Sequence, residues 1–217
     1  MFDITRFVLM IVPLLFAVTI HEVAHGYVAY RMGDPTAKMA GRLTLNPLKH
    51  LDPIGSFALP LILELTNAPF LFGYAKPVPV NFSNLRDYRK GVILVGSAGV
   101  VANLLCAAVS GILLQVLVLA GPLWHGSVLD GLFIPLLQML DYSVIINLIL
   151  MIFNLIPVPP LDGSRILSMF LPDHLRAGYQ SIERYGMLII IVLLMTKTLG
   201  KIISFFVVPL YKLFTGS

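Results

Sequence analysis

Four long apolar runs constrain this chain more than any other feature: about Phe7 to Tyr30, Gly91 to Ala120, Leu132 to Ile156, and Met187 to Leu213, the last interrupted by Lys197 and Lys201. A helix needs about 20 apolar residues to cross a bilayer, and in lipid each backbone polar group has to find its partner inside the protein. The first three runs are long enough to span, and the fourth reads as a span followed by an interfacial helix. Composition agrees, because 58% of the 217 residues are hydrophobic and 12% charged, where a soluble domain carries about 25% charged residues. The expectation is an all-α polytopic membrane protein: one integral membrane domain over residues 1–217, built as a bundle of about four to six membrane segments. The opening MFDITRFVLMIVPLLF looks like a signal peptide, but His21, Glu22 and His25 stand where a small-residue cleavage site is expected, so the segment is read as retained. Cys106 is the single cysteine and sits inside an apolar run, where it reads as a small packed side chain.

The shorter run Ile54 to Leu65 lies between Asp52-Pro53 and Thr66-Asn67-Ala68-Pro69. Basic residues concentrate on the cytoplasmic side of membrane proteins. Arg31, Lys38, Arg42 and Lys49 precede this run and Lys76, Arg86, Arg89 and Lys90 follow it, so a crossing would strand one group on the wrong side. The run therefore reads as re-entrant or shallow. With residues 31–90 cytoplasmic, the loop from Gly121 to Gly131, free of Lys and Arg, falls outside, as does the N-terminus. This predicts a multi-pass protein of the cell membrane. The net charge of +4 comes from residues flanking apolar runs, which suits an anionic lipid surface and gives no basis for nucleic-acid binding.

The first run contains Thr19-Ile-His-Glu-Val-Ala-His-Gly-Tyr27, with His21 and His25 four positions apart. On an α-helix that spacing puts both imidazoles on one face, about 5 to 6 Å apart at Cβ, where they can converge on one ion. Glu22, rotated about 100° from His21, can reach a water on that ion without becoming a ligand. This H-E-x-x-H arrangement is the one zinc hydrolases use, with the carboxylate as general base. A membrane helix whose histidines merely hydrogen-bond to neighbours is the plain alternative. Ionisable groups at bilayer depth cost on the order of 2.5 to 3.5 kcal/mol each, so three within five residues require a compensating purpose.

A catalytic zinc takes three protein ligands and keeps one position open. His50, His174 and Asp162 are candidates for the third; His125 falls in the opposite loop. Asp162 ends Asn154-Leu-Ile-Pro-Val-Pro-Pro-Leu-Asp-Gly163, where prolines break a span before a new helix begins. An acid in that position is by itself most simply a helix N-cap. Beside two histidines lacking a third ligand it becomes the leading candidate.

His21-Glu22-x-x-His25, together with Asn154-x-x-Pro157-x-Pro159-Pro160-Leu161-Asp162-Gly163, resembles the site-2 protease family of intramembrane zinc metalloproteases. The likeness extends to Gly96-Ser-Ala-Gly99-x-x-x-Asn103 and to Asn46-Pro47-x-x-His50-x-Asp52-Pro53. Val100 departs from it, since many members carry proline there. The resemblance implies one Zn2+ held by His21, His25 and Asp162, with Glu22 catalytic, a core of three spans, and transmembrane protein substrates cut near the cytoplasmic face. It implies a minimal form without PDZ or CBS domain. From His21 to Arg31 is ten residues, about 15 Å of helix, which agrees with a site inside the membrane toward its cytoplasmic end.

Other positions are expected to support the site. Gly96, Gly99, Asn103, Ala107 and Gly111 share one helix face; the small residues read as packing, and Asn103 as an interhelical hydrogen bond or an active-site group. Asn154 reads either as an oxyanion donor or as a helix-end cap. Gly73 to Asn81 reads as a short β-like stretch near residues 70–82. Pro77 and Pro79 remove donors from one edge, leaving Lys76, Val78 and Val80 to accept an unwound substrate by strand addition, unless this is only a proline-rich loop. The function read from these features is intramembrane zinc endopeptidase. The alternatives are a membrane metal-binding transporter or sensor, in which Glu22 is not needed as a base, and a silent scaffold for membrane helices.

Overall fold

The computed structural model describes residues 4–58, 61, 62, 65 and 76–216. Seven helices organise them: α1 (Ile4–Arg31), α2 (Tyr88–Leu119), α3 (Asp130–Leu155), α4 (Asp162–Ser168), α5 (Asp173–Ser181), α6 (Glu183–Met195) and α7 (Thr198–Thr215), joined by shorter helical turns. Among the described residues α1, α2, α3 and α7 are long and apolar enough to cross a membrane, and α5 with α6, bent by 62°, passes the same test as a pair. The protein is all-helical and polytopic, as the apolar runs require. The first three runs and helices α1 to α3 agree closely in extent.

α1, α2 and α3 pack against one another as a three-helix core, with α7 against α3 and α2. Val100 and Ala107 of α2 meet Val144, Leu148, Met151 and Ile152 of α3 and Val207 of α7. Asp87 caps α2, its carboxylate accepting from the Lys90 N–H at 3.0 Å, which ties down one of the first-turn donors a helix leaves unpaired. The outward face of α2 leaves Leu105, Val109, Ile112 and Val116 exposed. Side chains this apolar over about three turns belong against lipid tails.

The fourth run differs from expectation. Lys197, at φ 58°, takes the left-handed conformation between α6 and α7, and the helix breaks there. The segment long enough to span is therefore Thr198–Thr215, where an interfacial helix was expected. It is fastened to α3 by the Tyr211 hydroxyl, which donates to Asp141. Among the described residues there is no strand. Residues 76–81, the described part of the expected β-like stretch, run without regular secondary structure, because their donors go to other loops and to α1. Pro53–Ala58 forms a π-helical turn; most of the remaining expected re-entrant run lies outside the described residues.

Candidate metal centre

The two histidines are set by α1, which places them one turn apart on its buried face, with ring centroids 4.6 Å apart. Their Nε2 atoms stand 3.0 Å from each other. Asp162 enters from the first turn of α4, its Oδ2 3.2 Å from His21 Nε2 and 3.1 Å from His25 Nε2. The chain break before α4 makes this possible: Val158 to Leu161 turn the chain back, and Leu161, not Asp162, occupies the N-cap position of α4 with no side-chain cap bond. The cap role that Asp-Gly suggests is thus not taken.

Hydrogen bonds on the far side of each ring decide what the near side offers. The Nδ1 of His25 is 2.7 Å from the Val95 carbonyl, which can only accept, so Nδ1 carries the proton and, in the neutral ring, Nε2 has the lone pair. The Nδ1 of His21 is 2.6 Å from Asn103 Oδ1, with the same consequence. Three lone-pair atoms then face one another, and Asp162 Oδ2 is buried without a hydrogen-bond partner. Between neutral imidazoles and a carboxylate such a cluster is repulsive unless a cation joins it. Two imidazole nitrogens and one carboxylate oxygen form the donor set of a catalytic zinc, so the residues fit that ion. Among the described residues these three form the one His/Cys/Asp/Glu group able to hold a metal.

Close packing of α2 permits the arrangement. A Cβ on Gly99 would fall against His21 Cε1 and 2.5 Å from His25 Nε2, so the imidazoles occupy the space a side chain there would fill. Gly99 is more than a helix-packing residue.

Glu22 lies outside the donor group, and its Oε2 accepts the Val78 N–H at 2.7 Å. The buried Val78 side chain rests in a notch on α1: a Cβ on Gly26 would be 2.7 Å from Val78 Cγ1. A second anchor holds this loop. Asp34, fully buried after α1, accepts from Thr36 N and Oγ1 at 3.1 and 2.5 Å, from Asn81 N at 2.7 Å and from Asn84 Nδ2 at 2.8 Å. Burial pushes its carboxyl up, but these donors outweigh burial and hold it below the usual carboxylate range.

The other expected site residues are placed as follows. Asn103 is fully buried beside His21. Asn154, on the last turn of α3, donates to the Leu150 carbonyl at 2.9 Å. The Lys76 N–H donates to the His50 carbonyl at 3.0 Å and its own carbonyl accepts from Arg42 at 2.7 Å. Two donors of the expected substrate edge, Lys76 and Val78, are thus already engaged within the chain, and Val80 follows in the same irregular stretch. His50 is buried with Nε2 2.8 Å from the Thr44 carbonyl, and His174 stands at the start of α5; neither belongs to the donor cluster. Asn147 and Asp34 were not singled out from sequence. A polar residue inside an apolar run is the signal that marks Asn147, whereas an aspartate in a polar loop carries none.

The chain is 42% identical over 187 residues to "Putative zinc metalloprotease YwhC" of Bacillus subtilis strain 168, an alignment spanning 86% of this chain and 80% of that protein. This chain belongs to peptidase family M50. The family model, Peptidase family M50, matches residues 119–197, which include Asp162. Two proteins named "Putative zinc metalloprotease Rip2" are also similar: that of Mycolicibacterium smegmatis at 29% identity over 90% of this chain and 70% of its own length, and that of Mycobacterium tuberculosis strain H37Rv at 28% over 89% and 69%. No solved structure matches. As an M50 peptidase with four apolar helices, the protein is a membrane-embedded zinc metalloprotease acting on protein substrates.

Proposed function

We propose that this peptidase cuts other membrane proteins in or near their transmembrane segments, with His21, His25 and Asp162 holding one zinc ion and Glu22 carrying the proton, as in regulated intramembrane proteolysis. The convergence of two lone-pair nitrogens and an unpartnered carboxylate oxygen inside an apolar bundle supports this reading most directly. Zinc bound there supplies a Lewis acid that acidifies water and polarises a carbonyl. Glu22, one residue from a ligand yet outside the cluster, takes a proton from the attacking water and delivers it to the leaving amine. Asn103 orients His21, and Asn154, on the last turn of α3, serves as the oxyanion donor once its amide leaves the Leu150 carbonyl.

A peptide bond in a helix is shielded by its own hydrogen bonds, so substrate has to be extended before attack. Lys76, Val78 and Val80 lie on the segment that reaches Glu22, and strand addition there exchanges the internal bonds of Lys76 and Val78 for bonds to substrate. Arg31 at the end of α1, with the basic residues up to Lys90, supports a site toward the cytoplasmic face of the cell membrane. Residues 1–217 act as a single domain in this reading.

The test uses purified wild-type and Glu22→Gln protein against a panel of single-span membrane proteins, with zinc content measured on both. Glu22→Gln is expected to keep its zinc and lose cleavage by about 10²- to 10⁴-fold. Wild-type cleavage in the variant rejects the base assignment and favours a metal-binding transporter or sensor; lost zinc makes Glu22 a ligand.

A further inference from the structure

Asn147 lies on α3, is 2% exposed, and touches neither the donor cluster nor Glu22 in any hydrogen bond described above. Its amide is nevertheless the middle link of a chain of hydrogen bonds that ends at His21. The direction of that chain is fixed from its far end. The Ser143 carbonyl can only accept, so the Asn147 nitrogen faces it, at 2.8 Å, with the Ser143 hydroxyl at 3.3 Å. Asn147 Oδ1 is therefore turned toward α2, where it accepts from Asn103 Nδ2 at 2.8 Å. With its nitrogen so committed, Asn103 presents Oδ1 to His21 Nδ1 at 2.6 Å, and the His21 proton sits on Nδ1. Nε2 is left with its lone pair at the donor cluster.

We propose that Asn147 is a positioning residue: by fixing which end of the Asn103 amide faces His21, it sets the tautomer that lets His21 bind the ion. The inference rests on His21 being a ligand. An asparagine amide is nearly symmetric in shape, so reversing Asn103 costs little sterically. Reversal would turn NH2 toward His21 Nδ1 and move the ring proton to Nε2, where it blocks the metal. It would also set the Asn103 oxygen against Asn147 Oδ1 and the Ala17 carbonyl, two acceptors. Ala17 alone is a weaker restraint, since its bond to Asn103 Nδ2 is 3.3 Å long. Inside an apolar bundle an amide left without its partner is costly, which favours the orientation that satisfies every group. Ser143 is itself held by a 2.8 Å contact between its hydroxyl and that of Ser110, which closes the chain back onto α2.

A merely structural Asn147 would fill space, and a rescue separates the two roles. Asn147→Leu keeps a γ-branched side chain and removes the three hydrogen bonds of the amide. Asn103→Asp in that background places a carboxyl oxygen toward His21 whichever way the group is turned, so it no longer needs Asn147. The measurements are zinc retained per chain after a fixed chelator challenge, and the visible absorption of the cobalt-loaded protein, whose intensity reports a four-coordinate site. Wild type and His21→Ala set the upper and lower limits. Asn147→Leu is expected to lose about 10- to 100-fold in zinc affinity, and the double variant to return to within about threefold of wild type with the same cobalt spectrum. Wild-type retention in Asn147→Leu overturns the proposal, as does a double variant that stays as weak as Asn147→Leu. Wild type holding no more zinc than His21→Ala would instead reject the ligand reading beneath it.

Discussion

The imidazoles and the carboxylate of the His21-Glu22-x-x-His25 motif are supported by different kinds of structure. Both imidazoles are oriented from α2, through the Val95 carbonyl, the Asn103 amide and the space left by Gly99. Glu22 is held from a segment without regular secondary structure, by one N–H of Val78. Helix-to-helix contacts in a packed bundle hold positions to fractions of an ångström, whereas a loop opens at lower free energy. In the proposed mechanism the ion would therefore be held by the rigid part and the proton carrier by the part able to move when substrate arrives. Adjacent residues of one motif can in consequence be disabled separately.

The largest effect is expected at Gly99. Gly99→Ala drives a methyl group into both imidazoles, so α2 or the rings have to give way; zinc retention should fall below about a tenth of wild type and cleavage with it. Metal analysis on the purified variant checks this, and full zinc content would show that the rigid side is softer than its packing implies. A smaller loss, confined to catalysis, should follow at Val78. Val78→Pro removes the donor to Glu22 and is expected to lower kcat by about 10- to 100-fold with zinc unchanged, whereas Val78→Ala stays near wild type. A Val78→Pro effect appearing chiefly in KM would shift the weight of that segment from Glu22 to strand addition.

The smallest effect on the site is expected from the second loop anchor. Asp34→Ala deletes four hydrogen bonds to a buried carboxylate, and should destabilise the loops between α1 and α2 by about 1.5 to 3 kcal/mol while zinc stays bound. Limited proteolysis of residues 31–90 would report it. The sign of the pH dependence follows from the lowered carboxyl of Asp34. Its contribution is fully present above the unfolded value of about 4 and is lost as pH falls through the folded value below that. Wild-type loop protection should thus weaken on acidification below about pH 4, and Asp34→Ala should lack that component.

Much of the protein could be read without a structure because the signals were local. An apolar run fixes a membrane helix wherever its partners are, and α1 to α3 fall on such runs. The four-residue spacing of His21 and His25 fixes a shared face by helix geometry alone, and the prolines after Asn154 fix a break before Asp162. Local signals misled where the decisive feature was a single backbone conformation: Lys197 in the left-handed region divides the last apolar run after Met195 and leaves Thr198–Thr215 as a helix long and apolar enough to span by itself. Proline at alternate positions suggested a free strand edge, whereas the donors of Lys76 and Val78 are engaged by His50 and Glu22.

The sequence by itself determined that this chain folds as membrane helices, that two imidazoles and a carboxylate share neighbouring faces of the first, and that an acid follows a proline break much later. Tertiary structure alone decided that Asp162, rather than His50 or His174, closes the donor set, that Asn103 orients His21 across 82 positions, and that Val78 reaches Glu22 across 56. The reason is physical. Hydropathy and helical period specify which face of a helix is buried, but a hydrogen bond between helices depends on their crossing angle and axial register, which arise from the packing of all the side chains between them.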